Sequence, residues 1–150
     1  MKKIVSYIVC LCMCVAFTIP VSAKEKVQEN ETEMLFDDVS LTNYFTKTIK
    51  LNSVNGNSSG IVTISSGSIT GNPETTSIIL NIRANAGSDP FILYIQAPDG
   101  TVYSILVTGS KTIELSFFNG CNPSGSWKIW IETQGTASTA NITMKVNYSY

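Results

Sequence analysis

Asn141-Ile142-Thr143-Met144-Lys145-Val146-Asn147-Tyr148 alternates polar and apolar side chains without a break. In an extended chain successive side chains point to opposite faces, so Ile142, Met144, Val146 and Tyr148 share one face. Asn141, Thr143, Lys145 and Asn147 share the other, which is the pattern of a half-buried antiparallel strand. The same period of two recurs upstream. Trp127, Ile129 and Ile131 alternate with Lys128, Trp130 and Glu132, while Ile113, Leu115 and Phe117 alternate with Thr112, Glu114 and Ser116. Ile78, Leu80 and Ile82 do so again, as do Phe45, Ile49 and Leu51. Short runs at 61–64, 91–95 and 102–107 complete the set. Between them stand turn-forming clusters such as Asn55-Gly56-Asn57, Pro98-Asp99-Gly100 and Asn119-Gly120. No window of a dozen residues has helical spacing. The expectation is an all-β domain over residues 39–150, an antiparallel jelly-roll-like β-sandwich of about eight strands.

The chain before that domain has a different texture. Lys2 and Lys3 precede an uncharged apolar run over 4–19, and Pro20 with Val21-Ser22-Ala23 closes it. Charge, apolar stretch and small-residue exit together describe a secretory signal peptide over residues 1–23. The apolar run is shorter than the roughly 20 residues that span a bilayer. Cys10, Cys12 and Cys14 lie inside it, not at its end where a lipidated cysteine would stand. Residues 24–38 are polar and acid-rich, and read as a flexible leader, with a short propeptide as the alternative.

Cleavage changes the chemistry that counts. Losing Lys2 and Lys3 takes the basic residues from 10 to 8 while the 11 acidic ones stay, so the mature chain carries −3. That balance argues against nucleic-acid backbones and anionic membranes as partners. Of 4 cysteines only Cys121 remains, so no internal disulfide can form. Its loop setting makes a disulfide-linked dimer through Cys121 the alternative to an inert thiol.

Two stretches resemble the P domain, the β-sandwich that follows the catalytic domain of kexin-like proteases and many bacterial subtilases. One is Ile95-Gln96-Ala97-Pro98-Asp99-Gly100-Thr101, similar to a strand that turns through Ser-Pro-x-Gly-Thr. The other is Gly125-Ser126-Trp127-Lys128-Ile129-Trp130-Ile131, similar to that family's Gly-x-Trp-x-Leu strand. The similarity spans Pro90 to Tyr150 and extends to pre-peptidase C-terminal modules. It implies a jelly roll and an accessory role in a bacterial secreted protein. In this reading Trp127 caps the core and Gly125 leaves room beside it.

The chain has no histidine, which removes Ser-His-Asp and Cys-His catalysis and histidine metal sites. Gly-rich phosphate loops are absent. Asp89, Asp99, Glu114 and Glu132 are the carboxylates a glycosidase pair could draw on. Asp89 and Asp99, however, read as turn residues bonding their own backbone, and Glu114 and Glu132 as solvent-facing. The expectation is a non-enzymatic, cofactor-free and metal-free secreted protein that acts by binding an extracellular protein or a polysaccharide. If Trp127 points inward, the pleat turns Trp130 outward. Tyr94 and Tyr103 lie on the preceding runs, so Trp130, Tyr94 and Tyr103 are the candidate binding residues of one aromatic face. A carbohydrate or cell-wall binder and a bacteriocin-like effector are the alternatives in function.

Overall fold

The computed structural model describes residues 42–150; the expected signal peptide (1–23), the expected acidic leader (24–38) and the first residues of the expected domain (39–41) lie outside the described residues. Eight strands follow one another: β1 Asn43–Val54, β2 Val62–Ser65, β3 Glu74–Ala84, β4 Phe91–Gln96, β5 Val102–Val107, β6 Lys111–Leu115, β7 Ser126–Thr133 and β8 Ala137–Ser149. They form two four-stranded antiparallel sheets. Sheet A has the order β1-β8-β3-β6 and sheet B the order β2-β7-β4-β5. The pairings β1 with β8, β2 with β7, β3 with β6 and β4 with β5 are nested. One long antiparallel ribbon, folded on itself, produces that nesting, and β3 with β8 and β4 with β7 then knit it into two sheets. This is the jelly-roll β-sandwich expected from the alternation.

The apolar parity of each strand becomes the core. Ile78, Leu80, Ile82, Ile142, Met144 and Val146 of sheet A meet Phe91, Leu93, Ile95, Trp127, Ile129 and Ile131 of sheet B, all buried. Each such side chain contributes about 1.5–3 kcal/mol on burial. The Trp127 indole N–H, which has no place in an oily core without a partner, donates to the Pro123 carbonyl at 3.0 Å. A register shift between Thr75 and Ser77 marks a bulge in β3. It turns both Thr75 and Ile78 inward although they are an odd number of residues apart.

Three local readings are corrected. The strand at 111–115 ends before Phe117, and the chain turns through residues 116–120. Phe118 therefore enters the core and Phe117, expected inside, is 55% exposed. Gly125 makes room for Pro98, not for Trp127: a Cβ on residue 125 would stand 3.0 Å from the Pro98 Cβ. Its φ of +123° also suits glycine. Asp99 does bond its own turn, accepting the Thr101 amide at 2.8 Å. Asp89 instead reaches across the fold and accepts the amides of Thr136 and Ala137 at 2.6 and 3.0 Å.

Sheets of four strands leave four edges. β2 is only four residues long. β1 and β6 each carry an exposed lysine at inward parity, Lys47 opposite Met144 and Lys111 opposite Ile82. Short strands and inward charges are devices that discourage pairing with another chain. β5, Val-Tyr-Ser-Ile-Leu-Val, is six residues long and has neither charge nor proline nor bulge.

Candidate binding face

The outer face of sheet B is assembled by register. Tyr94 of β4 lies between Trp130 of β7 and Ser104 of β5. One row along, Ile92 lies between Glu132 and Leu106; in the other direction Gln96 lies between Lys128 and Val102. Ile61, immediately before β2, adds an exposed aliphatic side chain beyond β7. Leu106 and Val102 are 52% and 45% exposed, so this face is apolar well beyond its aromatic centre.

Tyr94 and Trp130 stack, with ring centroids 5.1 Å apart and planes 4° from parallel. Coplanar rings lying flat on the sheet could not approach so closely. The two rings stand side by side, each giving one face to the other. The free face of Tyr94 looks over Ser104, whose small side chain leaves space on the β5 side. The Tyr94 hydroxyl donates to Glu132 Oε2 at 3.3 Å. Burial raises the Tyr94 pKa above its ordinary 10.0, and the adjacent Glu132 charge and its hydrogen bond raise it further. The phenol therefore stays a donor through the neutral range.

Of the three candidate residues the fold brings two together. Tyr103 has the opposite parity: it pairs with Ile95 and faces inward, against Phe117 and Phe118 at 5.1 and 6.3 Å. The expected aromatic face is thus Tyr94 and Trp130 without Tyr103. Val102 and Leu106, which take its place, were legible in one respect. The run 102–107 is apolar on both parities except for Ser104, which a strand with one wet face does not require.

The carboxylates do not converge. Asp89 and Asp99 lie at opposite ends of β4, and Glu114 is on the outer face of sheet A while Glu132 is on that of sheet B. Among the described residues no three of His, Cys, Asp or Glu gather as a metal site. Cys121 is half-buried, packed against the core, and its thiol donates to the Phe118 carbonyl at 2.7 Å.

The sequence matches no protein-family model and no curated protein. The similarity to the P domain, carried by two short motifs, thus extends to no family model. Among solved structures the fold is similar to a crystal structure of FLHE, with TM-score 0.52 and 12% identity over 73% of this chain and 98% of that one. A family two carbohydrate esterase from Cellvibrio japonicus also aligns, with TM-score 0.34 and 12% identity, over 71% of this chain and 34% of that chain. The first of these likenesses is one of fold: the chain has a β-sandwich architecture that also occurs in FLHE.

Proposed function

We propose that this domain is an exported, non-catalytic binding module whose recognition surface is the outer face of sheet B. The observation that carries the reading is the stacked Tyr94–Trp130 pair, set among Ile61, Ile92, Val102 and Leu106 on a face the core does not need. Aromatic anchors in an aliphatic surround are the composition of a protein-binding patch. Lys128 and Ser104 are exposed on this face, but two of its other polar side chains are already engaged. Gln96 already donates to the Gly100 carbonyl and Glu132 accepts from Tyr94. A protein partner is therefore the first reading. The free face of Tyr94 above Ser104 favours a polysaccharide as the second.

The test is retention of the purified protein on cell envelopes from the producing culture. Trp130→Ala and Tyr94→Ala should abolish retention while keeping the far-ultraviolet spectrum and a cooperative thermal transition, with stability falling only by the loss of a stacked pair, about 0.5–1.5 kcal/mol. Envelopes stripped of protein with hot detergent separate the two partners: retention lost on stripping means protein, retention kept means polysaccharide. Wild-type levels of retention by both variants would sink the assignment of this face.

A further inference from the structure

The edge of β5 carries an inference independent of what the outer face binds. Ala97 donates to the Thr101 carbonyl at 2.9 Å, in register with the β4–β5 ladder. Hydrogen-bonded and non-bonded pairs alternate along an antiparallel ladder. Tyr103, Ile105 and Val107 therefore bond β4, while Val102, Ser104 and Leu106 turn their N–H and C=O groups to the open side. An independent contact agrees: the Leu106 carbonyl is met from outside by Lys111 Nζ at 3.2 Å.

We propose that β5 pairs antiparallel with β5 of a second copy of this chain, on a two-fold axis at Ser104. Opposed residues in an antiparallel pair point to the same face, so the outward bonding groups must meet even-numbered partners. With Ser104 facing Ser104 of the second copy, Val102 faces Leu106 and Tyr103 faces Ile105. Every apolar side chain at the edge then meets an apolar one, with the smallest side chain on the axis. Charge is complementary as well. The same register brings the turn carrying the exposed Asp99 of the second copy toward the end of β5 that Lys111 occupies, twice by symmetry. The other three edges are short or carry inward lysines; β5 has neither within its own sequence. Lys111, which meets the Leu106 carbonyl at its edge, releases it to the Val102 amide of the second copy by turning to Asp99 of that copy. Pairing joins the two copies of sheet B into one eight-stranded sheet. Three strand spacings, roughly 14 Å, then separate the two Tyr94 residues on a shared face.

Sedimentation of the purified protein in dithiothreitol across a wide concentration range tests this. The expected mass rises from one chain toward two as concentration increases. Ser104→Pro removes an outward N–H at an edge position where proline is tolerated, so it should remain folded and monomeric. Should it fail to fold, V102K replaces it: V102K should be monomeric, and adding L106E should restore the dimer because residue 102 faces residue 106. Ser104→Cys in a Cys121→Ser background should bridge to itself with dibromobimane, as paired Cα atoms lie roughly 5.5 Å apart. Thr63→Cys, on the β2 edge, should not. A chain that stays monomeric throughout, as it would if this edge served an extended peptide from another protein, overturns the proposal. So does a dimer that V102K leaves intact.

Discussion

The Asp89 carboxylate occupies the space in which residue 135 would carry its Cβ. An added Cβ on Gly135 would stand 2.5 Å from Asp89 Cγ. The same carboxylate holds the amides of Thr136 and Ala137, and the Ser138 hydroxyl donates to the Asp89 carbonyl at 2.8 Å. One side chain thus ties the loop before β4 to the turn between β7 and β8.

Gly135→Ala should accordingly destabilise the domain by about 1–3 kcal/mol through overpacking. Asp89→Ala should cost about 1–3 kcal/mol through the loss of the carboxylate oxygen that accepts both amides. Because the alanine at 89 also clears the space at 135, the double variant should be more stable than the two losses added together. Urea midpoints of the four proteins close the cycle. Strict additivity would show that Asp89 is not what constrains Gly135.

Phe117 and Phe118 give a second contrast. Phe118 is 1% exposed and meets Trp127 edge-to-face at 5.3 Å, while Phe117 lies largely in solvent against Tyr103. Phe118→Ala should cost about 3–5 kcal/mol, as core aromatic truncations do. Phe117→Ala should cost much less. Equal losses in thermal denaturation would contradict the placement.

That contrast shows where the sequence was readable. Period-two alternation identifies the inward face of β3, β7 and β8 because each strand runs long enough for one parity to repeat. It cannot show where a strand ends. Ile113, Leu115 and Phe117 keep the period, but the chain leaves the sheet after Leu115 and a turn resets which aromatic enters the core. The candidate face was half legible for a related reason. The pleat alone turns Trp130 away from Trp127, yet only the β4–β5 register shows that Ser104, and not Tyr103, stands beside Tyr94. Asp89 looked like a local turn residue because its partners are 47 and 48 residues away.

Tyr94 should ionise late. Its pKa is raised by burial first and then by the Glu132 charge and hydrogen bond. The phenol favours its protonated form more when folded than when unfolded. The resulting stability is fully present below pH 10 and is lost as pH rises through the folded-state value. In an absorbance titration of tyrosinate, Tyr94→Phe should remove a step above the ordinary range. Glu132→Gln should move that step down but not fully to 10, since burial remains. Tyr148, raised by burial and by Tyr150, supplies another late step that Tyr94→Phe leaves in place. A Tyr94 step unmoved by Glu132→Gln would mean the carboxylate does not act on the phenol.

Cys121 should be a slow thiol. Burial raises its pKa first and the Asp99 charge adds to that, while the Thr75 hydroxyl and a backbone hydrogen bond pull the other way. The thiolate is the reactive form, so a raised pKa lowers its fraction at every pH below the folded-state value. Access is restricted too, because Sγ points at the Phe118 carbonyl from a half-buried position. Iodoacetamide should therefore label Cys121 more slowly than free cysteine near pH 8, with the rate still climbing above the usual thiol range of about 8.5. Asp99→Asn removes the charge, and its side-chain carbonyl can still accept the Thr101 amide that shapes the turn. That variant should label faster at pH 8 with an unchanged melting temperature, because only the electrostatic part of the shift has gone. The same reasoning makes oxidative pairing through Cys121 slow, so a dimer formed before prolonged oxidation is held by non-covalent contacts. Labelling at the rate of free cysteine, or indifference to Asp99→Asn, would contradict this account of the thiol.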